Sequence, residues 1–88
     1  MRSIFLSQSF EKSLAKFVNK NPDLEDKIWK VLGLLEKDIF YRILHTHKLH
    51  GRFVSHYAST VAYDCRLIFR YDDRYIYPLF IGSHDEVY

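Results

Sequence analysis

The sequence predicts a single α+β domain over residues 1–88, with a two-helix hairpin packed on one face of a mostly antiparallel sheet. The chain has 88 residues, 48% of them apolar and 17% aromatic, which is enough for one small core. Apolar residues recur at helical spacing in the first half and alternate in the second half. The element order is then βααβββ. A run of helices followed by a run of strands is typical of α+β domains rather than of βαβ folds.

The composition excludes several classes of protein. Disordered chains are poor in aromatic residues, and no apolar run here approaches the ~20 residues that span a bilayer. Cys65 is the only cysteine, so a disulfide framework is excluded and a reducing cytoplasm is favoured. The segment Met1–Leu6 has no apolar core or cleavage site of a signal peptide. We therefore expect a cytoplasmic protein that does not bind membranes.

The first three elements are a short strand and two helices. Ile4–Leu6 is the strand, and Ser7 is placed to cap the first helix, which ends at Asn19–Asn21. Asn21 and Pro22 begin the second helix, as cap and first helical residue. The predicted apolar faces consist of Phe10, Leu14, Phe17 and Val18, and of Leu24, Ile28, Val31, Leu32 and Leu35.

The periodicity changes after Asp38. Residues 39–48 are predicted as a loop with room for one helical turn, and residues 52–58 as a strand. Residues 60–71 form the clearest strand, and residues 74–81 return as its hairpin partner. Asp72 and Asp73 form the turn between them, and Gly82 ends the hairpin. Pro78 argues against a fully paired central position for the last strand.

The alternation within residues 60–71 assigns side chains to two faces of the sheet. The set placed under the helices consists of Val61, Tyr63, Cys65, Leu67, Phe69 and Tyr71. Cys65 is therefore interpreted as a core thiol rather than a nucleophile. The opposite face presents Asp64, Arg66 and Arg70 in a row.

The middle of the chain is basic and rich in histidine. Between His45 and Arg70 the basic residues are Lys48, Arg52, Arg66 and Arg70, and the one acidic residue is Asp64. The same stretch contains His45, His47, His50 and His56. A phosphate-bearing partner and a solvated basic surface explain this charge equally well. Zinc binding is disfavoured for the histidines, because no cysteine pair or HExxH motif accompanies them. His45 and His56 are interpreted as solvated, whereas histidine beside Arg66 suits acid–base cleavage of a phosphodiester.

Three motifs identify a family resemblance. They are Lys48-Leu49-x-Gly51, Asp64-x-Arg66-Leu67-Ile68-Phe69 and Ile81-Gly82-x-His84-x-x-x-Tyr88. With the βααβββ order, they resemble the RelE/ParE toxin superfamily over nearly the whole chain. The nearest branch is the YafQ- and RelE-like mRNA interferases of bacterial type II toxin–antitoxin systems.

The resemblance implies a role for each motif residue. His84 matches the catalytic histidine that acts as general acid, and His47 matches a second active-site histidine. Asp64 matches the catalytic aspartate, and Arg66 matches the arginine that neutralises the scissile phosphate. Tyr88 matches a C-terminal aromatic residue that acts on or stacks against the RNA.

The chain departs from the family pattern at one position. The YafQ-like pattern has a further histidine four residues before the aspartate, where this chain has Thr60. His50 and His56 are the candidates to compensate for it. The residues expected to bind RNA phosphates are Lys48, His50, Arg52, Arg70 and Arg42.

The implied reaction needs neither a metal nor another cofactor. The RNA 2′-hydroxyl attacks the adjacent phosphate, with Asp64 or His47 as base, and the requirement for that hydroxyl confines cleavage to RNA. The implied partners are the ribosome with its mRNA and a cognate antitoxin with an acidic, partly disordered segment. DNA is expected to bind only through the antitoxin complex. Two alternatives remain: a ParE-like inhibitor of DNA gyrase, and a structural relative without toxicity.

Overall fold

Two helices cover one face of a mixed sheet in the computed structural model, which describes residues 1–83. Within that range the elements are β1 (Ser3–Ile4), α1 (Gln8–Lys20), α2 (Glu25–Lys37), β2 (His47–Lys48), β3 (Tyr57–Ala62), β4 (Cys65–Tyr71) and β5 (Tyr75–Gly82). The strand order is β1-β5-β4-β3-β2, and only the β1–β5 pair is parallel among these strands. The predicted α+β class is confirmed. No helix in this part of the chain is long and apolar enough to cross a membrane.

The ends of α1 are closed by two polar side chains. The Ser7 hydroxyl accepts a hydrogen bond from the backbone N–H of Phe10 at 3.0 Å, which confirms the predicted cap. The prediction that Asn21 caps the second helix is wrong. Its side-chain amide instead donates to the carbonyl of Phe17 at 3.1 Å, because the last carbonyls of a helix have no partner within it. A single 3₁₀ turn, Pro22–Leu24, then leads into α2.

The main core lies between the helices and the sheet, as the apolar periodicity predicts. Phe10 and Ile28 from the helices are fully buried against Leu67 and Phe69 of β4. Cys65 is buried on the same side, in agreement with its interpretation as a core residue. One face of β4 therefore packs against the helices.

The prediction of one continuous strand over residues 60–71 is wrong. β3 ends at Ala62, the chain turns through Tyr63 and Asp64, and β4 begins at Cys65. The register shifts between the Thr60–Arg66 and Ala62–Cys65 pairs, so that Val61 is the extra residue of a β-bulge. The bulge and the turn together keep Val61 and Cys65 on the helix side. The alternation of the sequence therefore continues across a reversal of the chain, and Tyr63, expected in the core, is 97% exposed.

The segment before β3 also differs from its prediction. Residues 51–53 form a 3₁₀ turn rather than the start of a strand, and β3 begins only at Tyr57. The helical turn expected within residues 39–48 is present at residues 42–44. It is followed by β2, which was not predicted, because its two residues are held only by pairing with β3.

Pro78 lies in a strand with neighbours on both sides, but its own position is not fully paired, in agreement with the prediction. β5 is flanked by β1 and β4, but β1 reaches only Tyr75 and Ile76. Pro78 lies beyond that pairing and next to a register shift in the β4–β5 ladder. A residue without an N–H is tolerated there because the ladder is interrupted.

The sheet face opposite the helices, here called the open face, includes Thr60, Arg66 and Ile68. It is partly covered by a second small core, in which Leu49, Ala58 and Ile68 pack with Phe53 and Phe80. The predicted row of three charges is therefore wrong in part. Asp64 lies in the turn, and a buried Ile68 separates Arg66 from Arg70.

Candidate active site

The sheet register brings His47, Thr60 and Arg66 to one region of the open face. His47 of β2 lies opposite Ala58 of β3. Thr60 lies two residues after Ala58 on β3, opposite Arg66 of β4. Paired residues share a face at about 5 Å, and neighbours two apart on a strand are about 7 Å apart. The hydroxyl-bearing Thr60 of β3 thus lies between His47 of β2 and Arg66 of β4.

Arg66 folds back over the β3–β4 turn. Its Nη1 donates to the backbone carbonyls of Ala62 at 3.0 Å, Tyr63 at 3.2 Å and Cys65 at 3.3 Å. These bonds fix the turn in which Asp64 lies. The guanidinium therefore both supports the turn and brings a positive charge to this end of the open face.

The last described residues reach the same turn. Arg66 is paired with Gly82 at the end of β5, and Asp64 and Ser83 line the same cleft. His84 and Tyr88, the predicted general acid and terminal aromatic, lie outside the described residues. Their roles remain predictions.

The ring of His47 has a defined tautomer in its neutral form. Its Nδ1 is 3.1 Å from the carbonyl oxygen of His45, and an oxygen of this kind only accepts hydrogen bonds. The proton is therefore on Nδ1, and the lone pair of the neutral ring is on Nε2. His45 presents this carbonyl from a left-handed backbone conformation, with φ of 48°.

The predicted phosphate-binding residues do not form one cluster. Lys48 is paired with Tyr57 and so faces away from His47. Arg52 lies over the Phe53 ring at 5.0 Å, and Arg70 lies over the Tyr77 ring at 4.3 Å. Two further members, Arg42 and His50, are exposed in the connections that flank β2. Their part in binding phosphate stays a prediction.

His56 was interpreted as solvated, and this interpretation is wrong. Its Nδ1 is buried and has no hydrogen-bond partner among the described residues, and its ring lies edge-on to Phe53 with centroids 6.3 Å apart. Burial, followed by the positive charge of Arg70, lowers the pKa of His56 from its ordinary value of 6.5. The ring is therefore held neutral where the second core meets the open face.

The half-buried His56 predicts a dependence of stability on pH. As pH falls through about 6.5, the unfolded chain takes up the proton before the folded chain does, so the free energy of unfolding decreases. We expect chemical denaturation of the native protein to show a steeper loss between about pH 8 and pH 5 than that of His56→Gln. His50→Gln makes the same substitution at an exposed histidine and is the matched control. Parallel curves for the native protein and His56→Gln would contradict this.

A cleft of about 730 Å³ lies between α1 and the β3–β4 turn. Lys16 and Lys20 line it from the helix, and Tyr63 and Asp64 line it from the turn. The basic region identified in the sequence covers residues 45–70 and therefore does not include these lysines. The spacing of Lys12, Lys16 and Lys20, which places lysines on one helical stripe, is the signal that indicates them.

No group of three His, Cys, Asp or Glu side chains in residues 1–83 is arranged to hold a metal ion.

The sequence matches a family model of bacterial toxins, and the fold is similar to those of solved toxin structures. Residues 2–88 match the family model described as a bacterial toxin of type II toxin–antitoxin systems, YafQ. No curated protein sequence is detectably similar. Among solved structures, YafQ from E. coli is 20% identical with a TM-score of 0.81, covering 100% of this chain and 99% of that one.

Two further structures with the same fold contain an antitoxin. The E. coli DinJ–YafQ complex is matched with a TM-score of 0.78 at 21% identity, over 99% of this chain and 97% of that one. The YoeB–YefM complex from Staphylococcus aureus is matched with a TM-score of 0.75 at 20% identity, over 96% and 98%.

Proposed function

This chain belongs to the YafQ family of toxins of bacterial type II toxin–antitoxin systems, and on that premise we propose that it is an endoribonuclease that cleaves mRNA on the ribosome. A cognate antitoxin neutralises it. The observation that supports this most directly is the grouping of His47 and Arg66 on the open face with Asp64 in the adjoining turn. These are the residue types that phosphodiester cleavage by a 2′-hydroxyl needs.

The proposed reaction begins with removal of the 2′-hydroxyl proton. His47 is the first candidate base, because its Nδ1 proton is directed at the His45 carbonyl and its lone pair is on Nε2. Asp64 is the second. The 2′-oxygen then forms a bond to phosphorus as the bond to the 5′-oxygen breaks. The products are a 2′,3′-cyclic phosphate and a 5′-hydroxyl, the latter protonated by His84.

Arg66 stabilises the charge that develops on the phosphate. A guanidinium has five N–H groups in a planar fork, which suits bidentate binding of phosphate oxygens. Nη1 is directed at the turn carbonyls, so we assign the phosphate to the Nε and Nη2 groups. A fixed donor pointing at developing charge is typically a large contribution to catalysis. Thr60, opposite Arg66, adds a hydroxyl where the family pattern has a histidine.

The proposed partners follow from the family and the charge. Solved relatives are complexed with the antitoxins DinJ and YefM, and we propose that an acidic segment of a corresponding antitoxin covers this toxin. Ribosomal RNA and mRNA provide the phosphates for the exposed Arg42, Arg52 and Lys48.

The function is tested by expressing the chain with and without the product of the adjacent gene and mapping new mRNA ends by primer extension. We expect growth arrest, cleavage within translated codons, and relief of both by the antitoxin. His84→Ala lowers cleavage of ribosome-bound mRNA by about 10²- to 10⁴-fold, the range for loss of a general acid. His45→Asn is the control, because asparagine tolerates the left-handed backbone there. Intact mRNA with gyrase-trapped DNA breaks, or undiminished cutting by His84→Ala, would refute the proposal.

A further inference from the structure

We propose that the cleft between α1 and the β3–β4 turn is a binding subsite for single-stranded RNA next to the cleavage site. In it, Tyr63 stacks on a base, and Lys16 and Lys20 bind backbone phosphates. The inference rests on the proposed function and extends the RNA-binding surface to residues outside the predicted catalytic and phosphate-binding sets.

Tyr63 has no role in the fold that its position explains. It is the most exposed of the large apolar residues within residues 1–83, at 97%, and it lies in the β3–β4 turn. Its ring therefore adds almost no buried apolar area to the folded chain. An aromatic face presented to water beside cationic groups is typical of surfaces on which nucleic-acid bases stack.

The turn that presents Tyr63 is fixed rather than loose. Arg66 accounts for this by donating from Nη1 to the carbonyls of Ala62, Tyr63 and Cys65. The backbone of Tyr63 is thus held by the same side chain that we assign to the scissile phosphate. A platform held in place before binding loses less conformational entropy when the base stacks on it.

The opposite wall of the cleft carries two cationic side chains among neutral polar and apolar ones. Lys16 and Lys20 are exposed and one turn apart on α1, and Asp64 is the single carboxylate among the described lining residues. Ser13 and Asn21 line the same wall with neutral polar groups. Such a wall can bind phosphates without repelling a polyanion.

The cleft is continuous with the candidate active site. Phe80 is paired with Ile68 on the open face and also lines the cleft. Asp64 and Ser83 lie at the junction of the two. An RNA strand with a phosphate at Arg66 can therefore continue past the turn into a cavity whose 730 Å³ is typical of sites for small ligands.

RNA explains these features better than a protein segment does. An antitoxin segment would gain most by burying apolar side chains in an apolar groove. Apolar side chains, including Phe17 and Phe80, also line this cleft, but its charged lining is two lysines against one carboxylate, and Tyr63 is 97% exposed. We therefore commit to single-stranded RNA as the occupant.

The base-stacking role is tested by fluorescence anisotropy with a labelled single-stranded 2′-O-methyl RNA, which the protein cannot cleave. We expect Tyr63→Ala to weaken binding by about 5- to 100-fold, the loss typical of one stacked base, and Tyr63→Phe to bind nearly as the native protein does. Tyr41→Ala removes another exposed tyrosine and is expected to leave binding unchanged. The thermal midpoints of all three variants verify folding.

The phosphate-binding role is tested with the double variant Lys16→Ala/Lys20→Ala. We expect weaker RNA binding. We also expect the slope of log K, the association constant, against log salt concentration to be less steep by about 1.4, or about 0.7 per lost phosphate contact. Lys27→Ala/Lys30→Ala makes the same change in charge on exposed positions of α2, which do not line the cleft. This control is expected to keep the native salt dependence.

The inference is overturned if the native protein does not bind the RNA, or if the cleft variants bind it as tightly as their controls do. It is also overturned if the cleft variants lose binding of the antitoxin but keep binding of RNA, since the cleft would then be the antitoxin's binding site. The proposed function fails separately. A protein that binds RNA through Tyr63 and the lysines but does not cut ribosome-bound mRNA contradicts the nuclease and leaves the subsite in place.

Discussion

Replacing Arg66 with alanine is expected to lower the rate of mRNA cleavage by about 10²- to 10³-fold, the usual loss when one fixed donor to a transition-state oxyanion is removed. The physical reason is the position of the guanidinium. It lies beside Thr60 on the open face and is held against the Asp64 turn by bonds to three backbone carbonyls. Its charge is thus already oriented before a phosphate arrives.

Single-turnover cleavage of mRNA on purified ribosomes measures this effect. Arg66→Lys is expected to recover part of the rate, because an ammonium keeps the charge but not the planar fork. Arg70→Ala is the matched control on the same strand and face, four residues away and stacked over Tyr77. We expect it to lose less than about ten-fold, the effect of one peripheral phosphate contact. The unfolded fraction of Arg66→Ala is measured in parallel by circular dichroism. If that fraction accounts for the whole loss of cleavage rate, Arg66 only stabilises the turn and the catalytic role is contradicted.

Replacing Phe69 with alanine is expected to lower the free energy of unfolding by about 3–5 kcal/mol, the range for removing a fully buried phenylalanine. Phe69 is 0% exposed and packs from β4 against the helices, with Tyr57 of β3 at a centroid distance of 6.1 Å. Small domains are stable by only about 5–15 kcal/mol. This one change therefore removes a large fraction of the total.

Equilibrium denaturation in urea measures this loss. Phe40→Ala is the matched control, because Phe40 is 56% exposed and its ring lies edge-on to those of Tyr57 and Tyr71 in the sheet. Each such contact contributes about 0.5–1.5 kcal/mol, so the loss of two contacts is expected to cost about 1–3 kcal/mol, less than the loss at Phe69. Equal losses for the two variants would contradict the description of the core.

The helices and their buried faces were predictable because their information is local. The cap bond from Phe10 to Ser7 spans three residues, and the buried positions Ile28 and Leu35 follow the 3.6-residue period. The family motifs likewise identify His47, Asp64 and Arg66 as candidates from short stretches of chain. His84 and Tyr88 remain candidates on the motif alone.

The hairpin was not predictable from periodicity. Tyr63 and Asp64 form a turn without glycine, asparagine or proline, and the bulge at Val61 preserves the alternation across it. A period of two therefore describes both one long strand and two short strands joined by this turn. The correct answer depends on pairing with β4 and β5, which no local pattern contains.

Local sequence patterns were thus sufficient for the fold class and the helix faces, and the family resemblance supplied the residues of the candidate site. The folded chain decides which of those residues become neighbours. Arg66 reaches the turn carbonyls, His56 is half-buried near the charge of Arg70, and Lys16 faces Tyr63 across a cleft. The reason is physical: a helical face or a cap arises within a few residues, whereas strand register and clefts arise from contacts between segments distant in sequence.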